Sequence, residues 1–167
     1  MKNIVLVGFM GTGKNAVGKM LARRLGIDYI DTDDLIEKDQ GMKIKDIFEK
    51  KGEPYFREVE KKIIKGVCQK QDQVIAAGGG AVIFDENMEN FKKSGIIVCL
   101  TARPEVIYQR TKKTCLRPLL NVEDPLRKIR ELLKEREPFY AKADFFVDTS
   151  DLTVEKITDK IIEFLKK

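Results

Sequence analysis

Four consecutive apolar residues, Ile4-Val5-Leu6-Val7, run without a polar break into Gly8-Phe9-Met10-Gly11-Thr12-Gly13-Lys14. A short unbroken apolar run is the pattern of a strand buried on both faces. Glycines at 8, 11 and 13 then let the backbone curl so that its N–H groups converge on an anion. Lys14 adds a point charge where the β- and γ-oxygens of a polyphosphate would sit, and a helix opening at about Gly13 aims its positive end at the same place. The spacing G-x-x-x-x-G-K, set after a strand and before a helix, predicts a nucleotide site made by Gly11, Thr12, Gly13, Lys14, Asn15 and Ala16. One position departs from the pattern: Asn15 stands where a Ser or Thr hydroxyl would normally bind Mg²⁺.

The same kind of apolar run recurs at Tyr29–Ile30, Val74–Ala77, Ile96–Leu100 and Phe145–Val147. Between the runs lie stretches of helical periodicity at 16–25, 44–48 and 59–67, and Val154, Ile157, Ile161 and Leu165 form a closing stripe. Strands alternating with helices predict an α/β fold with a five-stranded, mainly parallel sheet covered on both faces. In such sheets ligands bind outside the carboxyl ends of the strands, so functional residues are expected just after each strand. The length of 167 residues fits one domain, 1–167, and residues 111–124 read as a long loop of the kind that serves as a lid.

Composition narrows the chemistry. The chain has no histidine, which removes the commonest general base and metal ligand and leaves proton transfer to carboxylates, lysine, cysteine or tyrosine. Cys68, Cys99 and Cys115 are odd in number and widely spaced, unlike a disulfide framework or a zinc site, and fit a reducing cytoplasm. The net charge of +5 comes without an aromatic-basic stripe or an Arg-rich arm. Small anionic ligands are therefore expected rather than nucleic acid. No apolar run approaches membrane-spanning length or the core of a signal peptide, so a soluble, cytoplasmic protein without membrane partners is expected; a monomer is also expected. Charged residues reach 35% with no Trp, a bias in the direction of heat adaptation.

Several residues then stand out, each with a plainer alternative. Asp31-Thr32-Asp33-Asp34 follows the second strand; Asp31 can hold Mg²⁺ through water and Asp33 can take a proton from a hydroxyl, or Asp33 or Asp34 merely caps the helix containing Leu35 and Ile36. Gly78-Gly79-Gly80 ends the third strand, where a ligand approaches the backbone closely or a tight turn is made. Arg57 and Arg136 are each flanked by aromatic residues that can hold a guanidinium rigid for a carboxylate, the alternative being a surface ion pair. Arg117-Pro118 lies in the expected lid, where the arginine can swing onto a transferring phosphate or merely mark a turn.

Taken in order, GFMGTGKN at 8–15, DTD at 31–33, GEPYFR at 52–57, GGGAV at 78–82, RPLL at 117–120 and EREPFY at 135–140 resemble the shikimate kinase family, over nearly the whole chain. The resemblance implies a nucleoside-monophosphate-kinase-like P-loop fold with a mobile lid. It also implies Mg²⁺-dependent transfer of the ATP γ-phosphate to the 3-hydroxyl of shikimate, a step of chorismate and aromatic amino-acid biosynthesis. Position by position, it makes Asp33 the base and a ligand of the shikimate hydroxyls, with Arg57, Gly79, Gly80 and Arg136 completing the acceptor site. Lys14 and Arg117 stabilise the transferring phosphoryl group, Gly11, Gly13 and Lys14 cradle the nucleotide phosphates, and Arg110 stacks on adenine. The match is poorest near Thr149-Ser150-Asp151, at the adenine loop. Asn15 and Asp31 are the expected metal positions. Two rival functions are a catalytically impaired nucleotide-binding regulatory module, supported by Asn15, and a kinase of another small hydroxy acid such as gluconate.

Overall fold

The computed structural model describes residues 1–113 and 120–167. Five parallel strands, β1 (Asn3–Val7), β2 (Asp28–Asp31), β3 (Gln73–Ala76), β4 (Gly95–Thr101) and β5 (Phe145–Asp148), lie in the order β2-β3-β1-β4-β5. All five fall where the apolar runs place them. Central β1 pairs with β3 through Ile4 opposite Val74 and with β4 through Ile4 opposite Ile96. Every residue of β1 is buried, which is why the run carries no polar alternation.

Side chains alternate across the sheet. Val5 and Val7 face a layer made by Ile64 of helix α4 (Glu53–Val67), Cys68 at its C-terminal cap, Met88 and Phe91 of α5 (Asp85–Ser94) and Tyr140 of α7 (Pro125–Tyr140). Ile4 and Leu6 face the opposite layer, built from Val17, Leu21 and Ala22 of α1 (Lys14–Leu25) and Ile157 and Ile161 of α8 (Val154–Leu165). The Thr153 side chain caps α8 by accepting from the Lys156 N–H at 3.3 Å. The remaining helices are α2 (Thr32–Gln40), α3 (Ile44–Lys51) and α6 (Pro104–Thr111). Prolines open α6 and α7 in their first turn, where the missing N–H costs nothing.

Residues 111–124, the expected lid, connect α6 to α7; 114–119, which include Cys115 and Arg117, lie outside the described residues. Among the described residues no helix is long and apolar enough to cross a membrane. One expectation needs correction. The candidate segments after β1, β2 and β3 lie where expected, but Arg57 and Arg136 come from within helices α4 and α7. Helices that pack over the sheet edge can reach the same crevice from the side.

Candidate active site

The phosphate loop is built as its spacing requires. Gly11 and Gly13 have φ of +80° and +97°, in the left-handed region that side-chain-bearing residues avoid, and Gly13 is the residue from which α1 starts. The Lys14 ammonium donates to the carbonyls of Gly8 at 2.6 Å and Phe9 at 3.0 Å, folding the side chain back over the loop. Around it a cavity of about 270 Å³ is lined by Gly11, Gly13, Lys14, Asn15 and Ala16 on one side and Asp31, Asp33 and the end of β3 on the other.

Arg110, at the C-terminal end of α6, donates from Nη1 to the Gly11 carbonyl at 3.1 Å and to Thr149 Oγ1 at 3.0 Å, and from Nη2 to the Thr149 carbonyl at 2.9 Å. Hydrogen bonds at the edge of a planar guanidinium leave its faces available for stacking. Thr12, within the expected nucleotide site, is buried and donates its hydroxyl to the Phe9 carbonyl at 2.7 Å. Its part is to shape the loop.

A second cavity, of about 300 Å³, adjoins the first, and Asn15, Asp31, Asp33, Gly78 and Gly79 line both. Asp31 caps α2: its Oδ1 accepts from the N–H groups of Asp33 at 2.9 Å and Asp34 at 3.3 Å. Burial, and then the Asp34 charge, push the Asp31 carboxyl above the usual carboxylate range. The cap therefore falls on Asp31 and not, as the sequence alternative has it, on Asp33 or Asp34. Asp31 takes the capping bonds, while Asp33, on the first turn of α2, stands at the wall between the cavities.

Other titratable groups are shifted or engaged to different degrees. Burial raises the thiols of Cys68 and Cys99, the latter to about 11, and raises the phenols of Tyr29 and Tyr140, the latter to about 12. Among the carboxylates lining the second cavity, Glu37 accepts from the Ile44 N–H at 2.9 Å and Glu60 is paired with Arg57.

The arginines divide in a way the sequence does not show. Arg57, 7% exposed, donates to Glu60 Oε1 at 2.8 Å and to Glu53 Oε1 at 3.3 Å, and its guanidinium lies 5.1 Å from the Phe56 ring and 5.8 Å from the Phe84 ring. Arg136, 3% exposed, has no hydrogen-bond partner for Nε or Nη1 among the described residues. The ring beneath it, at 5.3 Å, is Phe9 of the phosphate loop rather than either aromatic neighbour in its own motif. A buried guanidinium with unpaired N–H groups is costly unless an anion completes it.

Gly78, Gly79 and Gly80 make the tight turn that is one of the two sequence alternatives: the Ala81 N–H donates to the Gly78 carbonyl at 3.1 Å. None needs a left-handed backbone. What they spare is room for protein side chains. A Cβ on Gly78 would come within 2.9 Å of both Asp33 Oδ1 and Glu60 Oε2; on Gly79, within 3.4 Å of Arg136 Nη1; on Gly80, 2.9 Å from Arg57 Cζ. Replacing Gly80 by Ala is therefore expected to displace the Arg57 guanidinium and raise the acceptor KM roughly tenfold, with the ATP KM unchanged, in steady-state assays.

Two site residues escaped the sequence reading. Glu60 is fully buried, and burial raises its carboxyl above the usual range even beside Arg57. Its only signal was a place three residues after Arg57 on a helical stretch. Tyr140, four residues after Arg136, donates its hydroxyl to the Gly79 carbonyl at 2.7 Å.

Two cavities meeting at a carboxylate wall, one cradled by a lysine-bearing phosphate loop and the other lined by buried arginines, define a P-loop kinase that serves a small acidic acceptor. Residues 10–166 match the family model described as shikimate kinase. The shikimate kinase of Thermodesulfovibrio yellowstonii is 55% identical over 98% of this chain and 94% of its own length, and that of Caldanaerobacter subterraneus subsp. tengcongensis is 52% identical over 97% and 95%. The solved shikimate kinase of Acinetobacter baumannii in complex with shikimate superposes with a TM-score of 0.96 at 40% identity, covering 99% of this chain and 93% of that one. The chain belongs to the shikimate kinase family, and it is an ATP-using kinase.

Proposed function

We propose that the chain transfers the γ-phosphoryl group of ATP to the 3-hydroxyl of shikimate, feeding aromatic amino-acid biosynthesis. The observation that carries this reading is the wall shared by the two cavities, since in-line transfer needs donor and acceptor to meet at one surface. The nucleotide phosphates occupy the loop cavity, held by the Gly11–Ala16 backbone and Lys14, with adenine against the face of Arg110. Shikimate occupies the larger cavity, its carboxylate completing the unpaired N–H groups of Arg136 beside Arg57 and its ring over the Gly79-Gly80 backbone. Asp33 receives the proton of the attacking hydroxyl. Lys14 and, from the lid, Arg117 offset charge on the phosphoryl oxygens. One chain lines both cavities, so the reading requires neither a second subunit nor a nucleic-acid or membrane partner. It fits a cytoplasmic monomer.

The residues present suit Mg²⁺. Asn15 and Asp31 bring hard oxygen ligands to the shared wall, within reach of the phosphate-loop cavity. Among the described residues no group of three or more Asp, Glu, Cys or His side chains could hold a metal unaided, so phosphate and water complete the shell. The ion would supply charge neutralisation at the β- and γ-phosphates. An Asn amide reaches one atom further than a Ser hydroxyl. Asn15→Ser is accordingly expected to lower the Mg²⁺ concentration for half-maximal activity by about threefold to tenfold. An unchanged Mg²⁺ titration would remove position 15 from the metal site.

The direct test is coupled ADP release with ATP and Mg²⁺, comparing shikimate, quinate, gluconate and no acceptor. Strong dependence on shikimate is expected. Turnover with gluconate instead would reassign the acceptor, and ADP binding without any turnover would leave a nucleotide-binding module.

A further inference from the structure

Thr149 follows β5 and is 1% exposed, yet its hydroxyl is the meeting point of three segments. It lies 3.0 Å from the Thr12 carbonyl in the phosphate loop and 2.9 Å from the Thr101 carbonyl at the end of β4, and it accepts from Arg110 Nη1 at 3.0 Å. Its backbone N–H also donates to the Thr101 carbonyl, at 2.8 Å, which fixes the residue independently of its side chain. Arg110 in turn holds the Gly11 carbonyl. Two successive phosphate-loop carbonyls are therefore turned toward the buried Thr149 and the exposed Arg110 that it binds, neither of which lines the phosphate-loop cavity.

Peptide geometry gives this a consequence. In a trans peptide the carbonyl and the following N–H point in opposite directions. With the Gly11 carbonyl drawn to Arg110, the Thr12 N–H turns inward and donates to the Phe9 carbonyl at 3.3 Å. With the Thr12 carbonyl drawn to Thr149, the Gly13 N–H turns to the side on which Gly11, Gly13 and Lys14 line the cavity. We propose that Thr149 is a positioning residue for phosphoryl transfer: its hydroxyl holds the Thr12 carbonyl and so aims the Gly13 amide at the nucleotide phosphates. A hydroxyl is required because the site offers both a donor, Arg110, and carbonyl acceptors, and only a group that accepts and donates serves both. The inference rests on the nucleotide reading given above.

The test compares Thr149→Val, Thr149→Ala and Thr149→Ser with the unsubstituted chain, each verified as folded by its melting curve. Two hydroxyl-free variants are used so that the packing of one does not decide the result. ADP and AMP affinities are measured by titration calorimetry and competition, and KM values for ATP and shikimate by steady-state kinetics. In Val and Ala the ADP affinity is expected to fall about tenfold, the ATP KM to rise in parallel and the shikimate KM to stay within about twofold. AMP, which presents one phosphate fewer, loses less, and Ser restores ADP binding. The proposal is overturned if ADP affinity is unchanged in both hydroxyl-free variants. It is equally overturned if both KM values shift together, if AMP loses as much as ADP, or if Ser is as impaired as Val. Failure of the unsubstituted chain to bind ADP would remove the nucleotide reading itself; loss of the variant effect alone leaves that reading standing.

Discussion

In the Asp33→Asn variant, kcat is expected to fall by about three orders of magnitude while ADP binds as before. The amide is nearly isosteric, so the wall between the cavities keeps its shape, but it cannot take the hydroxyl proton. The phosphate loop, Lys14 and the Arg110 cluster are left intact, so nucleotide affinity should be unaffected. Single-turnover phosphoryl transfer and ADP titration on the same preparation separate the two effects. Near-normal transfer would remove Asp33 from the mechanism and turn attention to the other carboxylates of the same cavity, Asp34 and Glu60.

Arg136→Lys is expected to raise the acceptor KM about 10- to 100-fold with a smaller change in the ATP KM. The argument rests on burial and on unpaired N–H groups. Arg136 Nε and Nη1 have no partner among the described residues, so in the free enzyme they carry a desolvation cost that a carboxylate removes. An ammonium at this place supplies the charge but not the planar pair of donors, and it lacks a flat face for the Phe9 ring. An unchanged acceptor KM would overturn the role of Arg136. The parallel substitution of Arg57 would be harder to read, because it also strands the buried Glu60 carboxylate.

What the sequence made legible follows the physics of local signals. The five strands were visible because each sits in a short apolar run, and the phosphate loop because strand, glycine spacing and lysine are contiguous. Helix α5 gave little sign of itself, since Asn87 and Ser94 turn inward together with Met88 and Phe91 and blur the apolar face. The proline-opened α6 and the charge-rich α7 were hidden for similar reasons. In the site, the Phe56 ring beside Arg57 could be anticipated from adjacency. The Phe9 ring beneath Arg136 could not, because 127 positions of chain separate them and only the packing of α7 over the phosphate loop brings them together. Glu60 and Thr149 matter through partners on other segments or other turns, and nothing in their local pattern distinguishes them from ordinary surface residues.

The side-chain-free stretch at 78–80 also limits how such an enzyme can change over evolutionary time. Its three vacant Cβ positions are each claimed by different charged groups: Asp33 and Glu60 at the first, Arg136 at the second and Arg57 at the third. A drift in any one of them would disturb a different part of the chemistry, and no single compensating change could absorb all three. Change along this stretch of the candidate acceptor cavity is thereby constrained. Ile44 and Phe48 of α3 border the same space with half-buried apolar side chains, and shifts in acceptor preference are expected there first.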